Sequence, residues 1–234
     1  MTTRSKSEEM MPGWRRLQGR YPMAKFLGIL GLLLVLLPFM ELFPNGDLAE
    51  AIVLTLVLGS AVLALGTRRR VVLFGLILAS VAITCKWLDQ THPEPWRAWF
   101  YAVSSAVFLV TVVTHLLRYV ARAPRVNSEV LCAAVAAYLL IGSLWATTYV
   151  LVWRVNPASF AFSVPLPADQ KMTHFTSIYF SFMTLSTVGY GDVTPVSHVA
   201  RMLAVVEAVI GMLFVAILIS RLVALYTTDS SSED

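Results

Sequence analysis

The chain has 234 residues, 57% of them hydrophobic and only 14% charged, with a net charge of +4. That composition is too apolar for an ordinary soluble domain and belongs to the membrane class. The basic residues fall between apolar runs, which reads as membrane topology rather than as a nucleic-acid surface, so no nucleic-acid partner is expected.

Residues 1–25 form a polar, basic tail with Arg4, Lys6, Arg15, Arg16, Arg20 and Lys25. No short apolar region followed by a small-residue cleavage site occurs there, so no cleaved signal peptide is expected. Trp14 and Tyr21 would suit a membrane surface, but Pro12, Gly13 and Gly19 interrupt any helix, and a cytoplasmic tail is the simpler expectation. Six apolar stretches follow, at 26–43, 48–66, 71–88, 98–120, 129–152 and 196–226. Each is about long enough to cross a hydrocarbon core ~30 Å thick as a helix. The expected fold is therefore an all-α integral membrane protein with six transmembrane helices in contact with the lipid bilayer. Pro38 is placed to kink the first. Pro44-Asn45-Gly46 marks the first turn and Arg68-Arg69-Arg70 a later connection. A linker at 121–128 ends in Asn127 and Ser128, a helix-start signal.

Charge sets the orientation. With the amino terminus inside, the cytoplasmic side holds thirteen Lys and Arg: the six of the tail, Arg68, Arg69, Arg70, Arg118, Arg122, Arg125 and Arg221. The other side holds five: Lys86, Arg97, Arg154, Lys171 and Arg201. This bias predicts both termini in the cytoplasm of a cell-membrane protein, and it puts the 172–192 segment on the outer side.

The second half, 129–226, differs from the four peripheral stretches of 26–120. After the outer helix at 129–152, residues 153–171 carry Pro157, Pro165 and Pro167 and predict an irregular outer turret. Residues 172–185 predict a helix too short to span, with Thr173 as its N-cap. Residues 186–192 connect it to the inner helix at 196–226, and 227–234 form a short cytoplasmic tail. That tail is too short to fold into a ligand-binding domain.

The chemistry concentrates in Thr187-Val188-Gly189-Tyr190-Gly191-Asp192. Glycine tolerates positive φ, so this alternation permits backbone of alternating hand whose carbonyls point to one side. Bare carbonyls at membrane depth are tolerable where they line a cavity and meet a cation. Rings of carbonyls from four copies can replace the hydration shell of K⁺, and one chain supplies one such segment.

Thr184-Leu185-Ser186-Thr187-Val188-Gly189-Tyr190-Gly191-Asp192 resembles the filter of the tetrameric potassium-channel family. The resemblance is strong over about 128–226 and architectural before that. It implies a homotetramer holding K⁺ ions in the filter, with no organic cofactor. By resemblance, the carbonyls of Thr187, Val188, Gly189 and Tyr190 form successive K⁺ sites, and the Thr187 hydroxyl adds the innermost ring. Gly191 completes the filter and turns the chain outward, and Asp192 sits at the mouth. Tyr190 packs outward against pore-helix aromatics, with Tyr179, Phe180 and Phe182 as a cuff. Where some relatives place a carboxylate behind the filter, this chain has Met183, so Asp192 needs another partner, with Tyr179 a candidate. The intact Tyr190 implies K⁺ over Na⁺.

Gly211 matches the family's bending point in the inner helix, although a small residue there equally suits close helix packing. Met212, Val215, Ile219 and Val223 follow at helical spacing, and Ile219 and Val223 are candidates for an apolar gate that closes by dewetting. Glu207 is an intramembrane carboxylate and a functional candidate by position. The plainer reading is a hydrogen bond to Ser181 or Thr184; the other is a proton-sensitive latch to the pore helix.

Six stretches with the pore in the last two match voltage-gated channels, but Ala98–Thr114 carries no charge, so no conventional voltage sensor is expected. Cys85 and Cys132 lie in apolar runs and read as buried small residues. The histidines lack metal-ligand spacing and no catalytic pattern stands out, so an enzyme is disfavoured. The leading function is a K⁺-selective channel. A modulatory or non-conducting subunit and a transporter with filter-type loops are the alternatives, the latter disfavoured by the single complete motif.

Overall fold

A computed structural model describes residues 22–40, 69–91, 95–123, 127–163 and 172–230, with Ile52, Thr55, Leu56 and Gly59 between the first two segments. Most of the expected basic tail and of the second apolar stretch, the turret residues 164–171, and residues 231–234 lie outside the described residues. The helices are α1 (Pro22–Met40), α2 (Arg69–Thr91), α3 (Pro95–Arg122), α4 (Ser128–Val155), α5 (His174–Leu185) and α6 (His198–Ser230). Three of them contain runs long and apolar enough to cross a membrane: Trp99–Arg122, Ser128–Val155 and His198–Arg221. The apolar parts of α1 and α2 are the shorter Met23–Phe39 and Gly75–Cys85. Among the described residues three of the expected spans are thus seen at the ~20 apolar residues a crossing helix needs, while most of the second, 48–66, lies outside the described residues.

Helix α4 is the axis on which the others pack: α1, α3, α5 and α6 all contact it, while α2 rests on α3. It opens on Asn127, whose extended backbone lets its side chain accept from the Val130 N–H at 2.9 Å. Such a cap contributes about 1 kcal/mol. Ala133, Ala134, Ala136 and Ala137 are all buried, and these small side chains let neighbouring backbones approach closely. Against them α3 lays Phe108, Val112, Leu116 and Val120, four residues apart and so on one face. Phe26 and Leu30 of α1 and Ala79 and Ala82 of α2 complete this core. At the end where α1 begins, the Met23 N–H donates to Glu129 at 2.8 Å. Arg221 of α6 donates to the Ala123 carbonyl at 3.0 Å, tying the last helix to the α3–α4 connection.

The turret is more regular than the prolines suggest. Helix α4 runs on to Val155, and Asn156 closes it by donating its N–H to the Val152 carbonyl. The Asn156 side chain then accepts from Ala158 and starts a 3₁₀ turn, Pro157–Ser159. Strand β1 (Phe160–Phe162) pairs antiparallel with β2 (Val193–Pro195), Ala161 opposite Thr194. The all-α expectation is corrected by this two-stranded pair, which brackets both ends of the pore-helix segment.

Helix α5 has twelve residues and is held at three points. Thr173 caps its start, accepting from the Thr176 N–H at 3.1 Å. In its middle, Gly142 of α4 lies under Phe182; a Cβ there would come within 2.8 Å of the ring. At its end, Gly211 of α6 lies against Leu185; a Cβ there would sit 2.0 Å from the Leu185 carbonyl oxygen. Helix α6 is unbroken through Gly211. In this conformation the glycine therefore serves close approach rather than a bend.

Gly211→Ala is expected to lower the melting temperature of the purified protein, since overpacking against backbone costs about 1–3 kcal/mol. Gly142→Ala should cost less, because a phenyl ring can give way. Gly28→Ala, with open space around it inside α1, should raise melting slightly, by the roughly 0.5–1 kcal/mol that separates Ala from Gly in a helix. Thermal unfolding of the three variants in one detergent checks the order.

Candidate functional site

The loop after α5 is built by the helix that precedes it. A helix end leaves its last carbonyls without intrahelical partners. Here the loop amides take them up. Ser186 N–H donates to Phe182 at 3.0 Å and Thr187 N–H to Thr184 at 2.9 Å. Val188 and Gly189 N–H both donate to the Met183 carbonyl, at 2.9 and 3.1 Å. Met183 and Thr184 thus act on the loop through their backbone.

With the amides turned back, the backbone alternates in hand. Thr187, Gly189 and Gly191 have φ of 60°, 53° and 79°. For the glycines this conformation is freely accessible. For Thr187 it is strained, by roughly 1–3 kcal/mol. The hydrogen bonds of the flanking turn hold it there. Among the described residues, no backbone hydrogen bond reaches the carbonyls of Thr187, Val188, Gly189 or Tyr190. The Gly191 carbonyl differs, since it accepts from the Ser163 hydroxyl at 3.0 Å. The carbonyls of Thr187 to Tyr190 are thus left for other partners.

The far end of the loop is fixed twice. Ser163 N–H donates to the Asp192 carbonyl at 2.8 Å, next to the strand pair. The Tyr179 hydroxyl donates to the Asp192 carboxylate at 2.8 Å, linking the middle of α5 to the far end of the loop. Accepting that hydrogen, Asp192 holds the Tyr179 phenol above its ordinary pKa, so it stays a donor through the neutral range.

The expected aromatic cuff divides. Phe180 turns to the outer helix, with its ring 4.8 Å from that of Tyr149 and 5.5 Å from that of Phe160. Phe182 covers Gly142. Tyr179 reaches the loop through its hydroxyl on Asp192. Tyr190 is 72% exposed and Val188 52% exposed on the single chain. Helix α6 is likewise little covered: Met212, Val215, Ile219 and Val223 are exposed apolar side chains, with Val205, Val209 and Leu213.

Glu207 is fully buried. Its carboxyl accepts from the Tyr149 hydroxyl and meets the Ser181 hydroxyl, each at 2.5 Å. Ser181 is one of the two partners its position suggested; Thr184 is not engaged with it. Tyr149 is not evident from sequence, since it lies 58 residues away. Gly142, Tyr149 and Ser163 are the site residues that sequence reasoning missed. Gly142 and Tyr149 stand two helical turns apart, so they share a face of α4.

Comparison with known proteins places this loop in context. The family model described as "Ion channel" matches residues 130–228, from the first turn of α4 through nearly all of α6. Protein LctB of Bacillus caldotenax is 30% identical over 125 residues, covering 53% of this chain and 92% of that protein. Protein LctB of Geobacillus stearothermophilus is 32% identical over 127 residues, with the same coverage. The probable potassium channel protein 2 of Methanocaldococcus jannaschii is 39% identical over 65 residues, 28% of this chain and 19% of its own length. No solved structure matches the chain significantly. A membrane chain with this loop, this family match and these relatives belongs to the potassium channel family.

Proposed function

We propose that the chain forms a homotetrameric, K⁺-selective channel that conducts passively through the Thr187–Asp192 loop. The observation that carries this reading is the backbone of alternating hand whose amides are tied back to α5. It frees the carbonyls of Thr187, Val188, Gly189 and Tyr190 on one strand. Four such strands around an axis would offer K⁺ stacked oxygen rings in place of water. The Thr187 hydroxyl adds the innermost ring.

Assembly is supported by the apolar surface of α6 and by the exposure of Tyr190, both of which neighbouring copies would cover. In that tetramer Ile219 and Val223 are candidates for the inner constriction, and Gly211 for a bend when it opens. The charge bias supports a cell-membrane protein with both termini cytoplasmic and the loop facing out. The uncharged Ala98–Thr114 stretch within α3 supports opening without conventional voltage sensing.

Purified protein in liposomes should carry K⁺ down its gradient, block with Ba²⁺ and exclude Na⁺. Equal K⁺ and Na⁺ flux would contradict the selectivity. Absence of flux from a confirmed tetramer under every gating condition would favour the modulatory subunit. Tyr179→Phe, which removes the brace on Asp192, should keep the tetramer but lower K⁺ over Na⁺ selectivity several-fold in the same assay.

A further inference from the structure

The contacts around Glu207 contain more hydrogen bonds than the hydroxyl groups can supply. Tyr149 Oη lies 2.5 Å from one carboxyl oxygen of Glu207, and Ser181 Oγ lies 2.5 Å from the other. Ser181 Oγ also lies 2.8 Å from the Gly142 carbonyl. A carbonyl can only accept, so the Ser181–Gly142 contact takes the single hydrogen of the serine. One hydroxyl hydrogen cannot serve two acceptors at such short separations. The Ser181–Glu207 contact then needs a hydrogen from Glu207. The Tyr149 hydroxyl supplies the remaining contact.

We propose that Glu207 is a neutral carboxylic acid that clamps the pore helix between the two long helices. It is a positioning residue for the filter. The hydrogens run one way, from Tyr149 to Glu207, from Glu207 to Ser181, and from Ser181 to the Gly142 carbonyl. The chain starts and ends on α4, passes through α6, and engages α5 in its middle. Each polar atom in it is satisfied, as burial requires. The surroundings suit an uncharged acid. The groups facing it are Tyr149 and Tyr138 of α4 and Ser181 of α5, and among the described residues no basic side chain pairs with it. Ser181 lies two residues before Met183, whose carbonyl holds two filter amides. A shift of α5 is therefore passed directly to the filter.

The inference rests on the channel reading, but its test separates the two. Glutamine reproduces a neutral acid, with an amide N–H for Ser181 and a carbonyl for Tyr149. Glu207→Gln should keep the wild-type tetramer, K⁺ flux and selectivity. Glu207→Leu should lose selectivity or flux. Infrared spectra of the reconstituted wild type should contain a protonated-carboxyl stretch, sensitive to deuteration, that is absent from Glu207→Gln. That band reads the hydrogen whether or not the protein conducts, so its presence in a non-conducting protein would still support the clamp. Absence of the band, or a Gln variant as impaired as the Leu variant, would overturn the proposal.

Discussion

The loop of this protein depends on holding a twelve-residue helix where it cannot hold itself. Helix α5 is too short to cross a bilayer and ends in carbonyls with no helical partners. Both difficulties are met by the same geometry. The long helices α4 and α6 approach it at glycines, Gly142 under Phe182 and Gly211 against Leu185. Its last carbonyls receive the amides of the loop that follows. The amides of Ser186 through Gly189 are thereby satisfied, and the carbonyls that follow point elsewhere. The loop's chemistry is thus a consequence of how a helix end is capped.

The surrounding structure reinforces this seat from several directions. The Thr173 cap fixes the start of α5, and the Tyr179–Asp192 hydrogen bond fixes its middle to the outer end of the loop. The β1–β2 pair joins the turret to the start of α6 and brings Ser163 onto Gly191 and Asp192. Buried hydroxyls carry the interior contacts. Leaving one of them unpaired would cost about 1–3 kcal/mol, so the Tyr149–Glu207–Ser181 chain stands or falls as a unit. Beside this braced loop, α6 presents exposed apolar side chains on both sides of Gly211. A braced loop beside an uncovered apolar helix suits a site built by several copies.

Features set by short-range chemistry were legible in the sequence. Asn127 and Thr173 cap helices because their side chains reach an amide three residues on. The glycines of the loop point to positive φ, and Tyr179 stands out as the partner of Asp192 because Met183 removes the acidic alternative. Contacts between distant residues were not legible. Nothing local marks Tyr149 as the donor to Glu207, or Gly142 as the floor under Phe182. The strand pair is not legible, because three-residue strands carry too little alternation to register and their partner lies about thirty residues away. Of the apolar stretches, three form full-length apolar helices among the described residues, and most of the second lies outside them.

The central claim is that backbone carbonyls of the loop, and not side chains, hold the permeant ion. Isotope-edited infrared spectroscopy of protein carrying ¹³C at the Val188 and Gly189 carbonyls tests it most directly. The account predicts carbonyl bands that shift when Na⁺ is exchanged for K⁺ in the reconstituted protein, with unlabelled protein locating them by difference. Identical labelled bands in the two ions would contradict it.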